Sequence, residues 1–579
     1  MATTSGISST AFTVDPTTGK LNVSGIASGI DSTAIINALI AAKRQPAVDL
    51  ETKITANTSK ISALQDFKTK MLAVTTALDK LRGNPGSTTS VFDSKSISGT
   101  TTAVSGTPSD IDSLVIASVS NTAQNISHTI KINSLASAQQ IRSDSVSSTT
   151  ATLSSLGIAA GDLVIGGKTI TISSTDTLLD LKSKINNAGA GVTASIVSSD
   201  ASTNYLVLTA SNSGTANAIA FSGSTAVSNA LGLTTTNTTT NVTSVKNQLT
   251  AAQDANLDVD GITGITRSTN NISDIISGVT LSLLKAEPGT TINLAVAPDL
   301  TAIKSAMNDF VTAYNDVRSF VTAQRTPSDL NKDGTVDDDE VGPLAYDATV
   351  RSALSKLSDM ASASIPGATD GFASLGQVGI VVQSDYTLAL DDTVLDPKLL
   401  ANVDGLKTLF AFGGSVSDSR ATILAQGTNA PSGTYTLNIG GTDADGNVTS
   451  ATFNGVAMTV SGKTLTAADG TKIFFNGGAN LGAVSGITVT MSSGIADQNY
   501  DFFNGLTTTS SGTIDTQVTQ LQTQDTDYKT RVDDIDDRLK VTRTNLEAKY
   551  TAMETAMAKL QTLQQTIQSY SDSLNQSSN

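Results

Sequence analysis

From Thr513 to Asn579 the chain contains neither proline nor glycine. Within that stretch Val532, Leu539, Leu546, Met553, Leu560, Ile567 and Leu574 recur at every seventh position, and Ile535, Thr542, Lys549, Ala556, Leu563 and Tyr570 follow three positions behind. Apolar residues spaced this way fall on one stripe of an α-helix, and a sustained seven-residue repeat marks a helix that packs against another helix. Thr542 and Lys549 are its weak rungs. At 1.5 Å per residue, about 60 residues of helix reach about 90 Å. Such a helix has no core of its own, so its stripe must be covered by another part of the chain or by another chain.

The opposite end of the chain carries matching helical patterns. Asp31 or Ser32 can cap a short helix from about Thr33 to Arg44, and Pro46 is expected to interrupt it. A longer helix follows, in which Asn57, Leu64, Met71 and Leu78 repeat at sevens, joined by Ile54, Ile61, Phe67, Val74 and Leu81, until Gly83, Asn84 and Pro85 end it. Residues 1–20 are polar, aperiodic and rich in Thr and Ser, and are expected to be disordered. Two arrangements satisfy these stripes, and they are compatible. The ends bundle within one chain, or the extreme ends pack between copies. The candidate oligomerisation residues are Ile36, Leu39, Leu546, Met553, Leu560, Leu563, Ile567 and Leu574.

Between the ends the hydrophobic period changes from that of a helix to that of a strand. HTIKINSL, DLVIGGKTITI, GVTASIV, YLVLTA and GVTLSLL alternate, with Gly, Asn and Ser-Gly between them. One helix, TLLDLKSKINNA (177–188), sits inside a β-β-α-β-β unit. Helix returns at Asp299–Gln324, where Ile303, Met307, Phe310, Val311, Tyr314, Val317 and Phe320 make one face, and again at Thr349–Ala361. SGTYTLNIGG, ATFNGVAMTVSG and GITVTMSSG then read as strands.

The expected fold class is α+β and multidomain: long helical termini form a leg and stalk, with β-rich insertion domains nested between them. In order, residues 1–45 are a disordered N-terminus and short leg helix, and 46–90 the first part of the stalk. Residues 91–145 and 250–299 are two parts of a β head domain that encloses a β-rich outer head domain at 146–249. Residues 300–415 return to the helical stalk, 416–505 are a further inserted β domain, 506–535 complete the stalk, and 536–579 are the C-terminal leg helix.

Composition closes off several function classes. Charged residues are 15% of the chain, against roughly 25% in an average soluble protein, which suits exposed β-sheets on secreted or surface-assembled proteins. The net charge is −16 with no basic block, so nucleic acid and anionic membrane surfaces are not expected partners. There is no cysteine, which removes disulfides and thiol chemistry. The only histidine, His128, lies in the alternating stretch NISHTIKI and reads as a strand residue; a multi-histidine zinc site is impossible. The acidic residues offer no carboxylate pair that spacing can establish, and the chain reads as a non-enzyme. No apolar run approaches the ~20 residues of a membrane span, so no membrane insertion is expected. The N-terminus lacks the basic and apolar regions of a Sec-type signal, which leaves the cytosol or export through an uncleaved N-terminus.

One loop carries a ligand pattern. DLNKDGTVDDDE matches the twelve-residue calcium template with Asp329, Asn331 and Asp333 as side-chain ligands and Thr335 through its carbonyl. Asp337 falls at the water-linked ninth position and Glu340 is the closing carboxylate. Gly334 permits the sharp turn. A solvated acidic turn is the competing reading. Pro327 and Pro343 break the flanking helices and no second loop pairs with this one, so the pattern suggests a structural staple rather than a sensor. GTDADGN (441–447) lacks the closing Glu and reads as a turn. No other cofactor is expected.

Several segments, in order, resemble one family. SGIASGIDSTAIINALIAAKRQPAVDLETKI, NISHTIKINSLASAQQI, IGGKTITI with LLDLKSKINNAGAGVTASIV, DANLDVDGI, STNNISDIISGVTLSLL and MNDFVTAYNDV are similar to segments of the flagellar hook-associated protein 2 family, the filament caps. So are GPLAYDATVRSAL, DYTLALDDTVLDPKLLANVDGLKTLF and RVDDIDDRLKVTRTNLEAKYTAMETAMAKLQTLQQTI. The resemblance covers most of 22–415 and 500–579; the calcium-like loop and the 416–505 insertion depart from it. It implies a secreted structural protein at the filament tip, exported by the flagellar type III route and assembled as a homo-oligomeric ring of about five or six copies. It further implies flagellin, a hook-associated junction protein and a cytoplasmic export chaperone as partners. A calcium-stabilised extracellular adhesin is the alternative.

Overall fold

The computed structural model describes residues 12–14, 21–23, 30–83, 90–328, 340–365, 372–427 and 432–576. They fall into two compact units, one drawn from 1–85, 307–398 and 404–579, the other from 86–306 and 399–403.

The first unit is organised by helices from both chain ends. Helix α1 (Ser32–Arg82) and helix α5 (Thr513–Gln576) run along each other, and the same unit contains α2 (Leu300–Arg325) from Met307 onward, α3 (Ala348–Ala361) and α4 (Ile495–Thr507). The expected stripe of α1 is its buried face: Leu64, Phe67, Met71, Val74, Leu78 and Leu81 are all sealed from solvent. Phe310 and Tyr314 of α2, Leu357 of α3, Phe503 of α4 and Ile514 of α5 are buried in the same unit, and α1 packs along α4 and α5. Phe67 stacks on Phe320 with ring centres 5.9 Å apart. Gly83 ends α1 in the left-handed conformation (φ 56°), and Lys80 and Arg82 complement the negative end of the helix dipole.

Three expectations are corrected here. Pro46 does not end a helix; α1 passes through it unbroken. A proline in a helix interior forfeits one hydrogen bond and costs about 3 kcal/mol. Tertiary contacts offset this: Ala47 is fully buried, and Arg44 reaches past the proline to Glu51 at 2.7 Å and across to Asp536 of α5 at 2.8 Å. Second, part of the N-terminus expected to be disordered is ordered. Phe12–Val14 pairs antiparallel with Leu21–Val23, and Phe12, Val14 and Val23 are residues that favour strands. Third, 416–505 is not wholly β. The sheet begins at Phe412 and ends at Ser493, and α4 follows, burying Ile495, Asn499, Phe503 and Leu506 at helical spacing. Its strands form a five-stranded and a four-stranded sheet around Leu437, Leu465, Ile473, Phe475 and Val489.

The second unit holds two hydrophobic cores. One is built from residues 114–136 and 255–296, the other from 141–233. The first lies on a five-stranded antiparallel sheet whose strands run in the order 262–267, 255–259, 127–134, 290–298, 95–103. His128 sits on the third of these in sheet order, with Nδ1 2.7 Å from Asp260. The second contains the expected β-β-α-β-β unit: strands 161–165 and 168–172, helix Leu178–Asn187, strands 192–200 and 203–210. A reciprocal cap between Thr177 and Asp180 starts that helix. Among the described residues no helix is long and apolar enough to cross a membrane.

Candidate assembly site

The two chain ends meet antiparallel, and polar contacts set their register. Descending α1, Thr75 meets Thr507 (3.4 Å), Lys68 donates to Asp515 (2.7 Å), and the Asn57 amide donates to Asp525 (2.8 Å). Lys53 then lies over the Tyr528 ring, Arg44 pairs with Asp536 (2.8 Å), and Asn37 accepts from Arg543. As the α1 number falls from 75 to 37, its partner rises from 507 to 543 without a break. A one-turn slip would separate every pair at once, so polar pairs such as the half-buried Asn57 and the buried Asp525 hold one alignment where apolar residues would tolerate several. The charged pairs have the same electrostatic signature. Arg44 holds the Asp536 carboxyl below its usual range, and Lys68 does so for Asp515.

At the top of the seam Asp347 joins three helices. It caps α3 by accepting from the Thr349 N–H at 2.9 Å, binds Lys60 of α1 at 2.9 Å, and accepts from Gln517 of α5 at 2.7 Å. Burial pushes its carboxyl up, but Lys60 and Gln517 outweigh this and hold it below the usual range.

This register leaves α5 longer than its partner. Helix α1 begins at Ser32, opposite the neighbourhood of Glu547, whereas α5 continues to Gln576. Up to that point the stripe is covered: Val532 and Leu539 are buried, and Leu546 is half-buried. Beyond it, Leu560, Leu563, Ile567 and Leu574 are each 59–62% exposed, with Met553, Met557 and Tyr570 exposed on the same run. Exposed apolar rows of this kind mark protein contact surfaces. Of the expected oligomerisation residues, Leu39 is exposed at the other helix end, but Ile36 is buried inside its own chain and is not presented to a second copy. Tyr570 belongs with the exposed set. Asn57 stands in the seven-residue repeat, but its partner Asp525 and the Arg44–Asp536 pair carry no sequence signal, because periodicity along one helix does not identify the residue facing it on another.

Asp329, Asn331, Asp333, Thr335 and Asp337 of the calcium-like loop lie outside the described residues. The loop's base is described. Ser328 donates its N–H to the Glu340 carbonyl (3.0 Å) and Gly342 to the Gln324 carbonyl (2.8 Å), closing the chain between α2 and α3. The weaker echo at 441–447 is a turn, in which the Asp443 carboxylate accepts from the N–H groups of Asp445 and Asn447.

Helices from both chain ends paired along their length, with β-rich segments inserted between them in sequence, define the architectural class of the chain. The family model for the flagellar hook-associated protein 2 C-terminus matches residues 252–562, that for its N-terminus matches 28–139, and the flagellin hook IN motif matches 161–212. The first alone spans more than half of the chain, which belongs to the flagellar hook-associated protein 2 family. It is 28% identical over 409 residues to the B-type flagellar hook-associated protein 2 of Pseudomonas aeruginosa, covering 67% of this chain and 81% of that one. To the flagellar hook-associated protein 2 of Escherichia coli it is 27% identical over 410 residues, covering 69% and 82%. Among solved structures it is similar to the D1-D2-D3 domains of the flagellar cap protein FliD from Escherichia coli, at 27% identity, 61% and 89% coverage, and a TM-score of 0.44. The adhesin alternative draws no support from these likenesses.

Proposed function

We propose that this chain caps the tip of the bacterial flagellar filament, where copies of it oligomerise through their terminal helices and promote the folding and insertion of exported flagellin. Family membership supports the cap role. The observation that carries the oligomeric part is the exposed seam from Leu560 to Leu574 on a helix whose earlier stripe is buried. Covering that seam with another copy removes apolar surface from water at about 25 cal/mol per Å². The ring is a pentamer or hexamer, and its neighbours are flagellin and a hook-associated junction protein. Before export by the flagellar type III route, a cytoplasmic chaperone masks the same seam. Calcium in the loop Asp329–Glu340 acts as a staple between α2 and α3.

The test is a triple variant, Leu560→Ser, Leu563→Ser and Ile567→Ser, compared with the unmodified protein by light scattering and in cells. The expected result is a fall to monomer mass with an unchanged thermal midpoint, and cells that secrete monomeric flagellin instead of extending filaments. An unchanged mass with normal filaments would sink the proposal.

A further inference from the structure

The five-stranded sheet of the second unit has two edges, and they are finished differently. At the 262–267 edge a bulge intervenes: Gly264 turns left-handed (φ +75°) and donates its N–H back to the Asp258 carboxylate of the neighbouring inner strand (3.0 Å), so that donor is not presented outward, while the Thr266 carbonyl accepts from the Arg267 guanidinium (2.7 Å). The outer domain treats its long edge similarly. Strand Val192–Asp200 lies at the end of its sheet. The Asn186 side chain takes both the N–H of Ala194 (2.7 Å) and its carbonyl (3.0 Å), standing where a neighbouring strand's peptide would be. Exposed strand edges invite unwanted pairing, and plugs of this kind prevent it.

Strand Lys95–Ala103 has no such plug. Its register shows which groups point outward. The Val296 N–H donates to Ile126, on the side of strand 127–134, so even-numbered residues of strand 290–298 face that way and odd-numbered ones face 95–103. Ala295 is opposite Ser98, Asn293 opposite Thr100, and Thr291 opposite Thr102. The even residues of 95–103 therefore close the ladder, and Ile97, Gly99, Thr101 and Ala103 direct their N–H and C=O groups away from the sheet. Among the described residues these groups form no hydrogen bond. The strand has no proline, and its single charge, Lys95, is at its first position. Ser98, Thr100 and Thr102 are its exposed side chains, small enough to admit any neighbour.

We infer that the strand Lys95–Ala103 receives an extended segment of unfolded polypeptide as a sixth strand of the sheet, held main chain to main chain without regard to its sequence. A free ladder of alternating donors and acceptors is complementary along its whole length to an extended backbone, whereas a single side chain, as Asn186 does at Ala194, satisfies one residue of it. A second copy fits less well. Two such edges pairing with each other make a two-fold contact that closes at a dimer, and the plugged 262–267 edge blocks head-to-tail continuation of the sheet around a ring. The inference rests on the cap reading only for the client's source, an exported flagellin chain before it folds.

The test is amide hydrogen exchange on the full-length protein, alone and with two probes: unfolded flagellin and a permanently unfolded, reduced and carboxymethylated lactalbumin. Both are expected to slow exchange at Ile97, Gly99, Thr101 and Ala103 at least tenfold, with folded flagellin having no effect. Thr101→Pro removes one outward donor and leaves the inner ladder intact, so it should abolish the protection while keeping the thermal midpoint. The proposal is overturned if neither unfolded probe changes exchange at these four amides. It is equally overturned if they are already protected in the assembled protein and become exposed on dilution to monomer, which would place a second copy there. Exchange in the unmodified protein decides the matter even where the proline variant misfolds. If the edge shows no protection while the exposed seam of α5 still proves necessary for filament growth, the edge proposal fails and the cap reading stands.

Discussion

Arg44 and Asp536, 492 positions apart in sequence, meet at 2.8 Å and tie the first helix of the chain to the last. Arg44 also holds Glu51, on the far side of Pro46, at 2.7 Å. One side chain therefore spans the weakest turn of α1 and anchors it to α5.

Replacing Arg44 with Ala is expected to free the segment before Pro46. Amide exchange should accelerate over residues 32–45 and stay unchanged over 60–82, with a small fall in thermal midpoint that shrinks further in high salt because the pair is partly exposed. Uniform exchange along α1 in the variant would show that the pair does not control this turn.

Asp347→Ala removes a helix cap and leaves Lys60 and Gln517 without their shared partner at a buried junction. The expected loss is about 2 kcal/mol, read as a lower urea midpoint at constant slope. Asp347→Asn keeps an acceptor for the cap and should lose roughly half as much. Equal losses would assign the effect to the ion pair instead of the cap.

Glu287 carries a pH dependence. Its carboxylate accepts from Lys285 (2.8 Å), from the Ser109 hydroxyl (2.6 Å) and N–H (3.0 Å), and from Thr290 (2.9 Å). Lys285 first, then Ser109, lower its pKa from 4.5 to about 2. A depressed acid favours folding when ionised, so its contribution is complete above pH 4.5 and disappears as pH falls through about 2. Denaturation midpoints of the unmodified protein and Glu287→Gln should differ near neutral pH and converge across that window. A difference that persists at the acid end would refute the assignment.

Calcium in the loop Asp329–Glu340 should raise the thermal midpoint, with half-effect at roughly 10⁻⁴ to 10⁻³ M as for isolated extracellular modules. Chelator should reverse the rise. A double variant, Asp329→Ala with Asp333→Ala, should lose the response. The proposal fails if no rise occurs or if the variant responds equally.

Periodicity exposed the skeleton of this fold. Leu64, Met71 and Leu78 repeat at sevens because one helical face is buried, and strands such as 168–172 alternate because one face of a sheet is. The helix 178–187 was legible in TLLDLKSKINNA (177–188), where Leu178, Leu181 and Ile185 fall on one buried face. Pro46 misled because a local rule for breaking helices was overridden by Arg44, Ala47 and Asp536. Helix α4 was hidden between strands because its Asn499 and Thr507 dilute an apolar face that only packing defines.

What the sequence by itself determined is which stretches are helix or strand and that the terminal stripe needs a cover, since caps and periods depend on residues a few positions apart. Only the tertiary structure decided that Asn37 meets Arg543 and Asn57 meets Asp525, that Ile36 is covered while Leu560 and Ile567 are not, and that one sheet edge is plugged while the strand Lys95–Ala103 is open. The helix pairings depend on contacts between residues hundreds of positions apart, and the state of each sheet edge depends on which strands become neighbours, so both are set by packing and polar pairing in three dimensions.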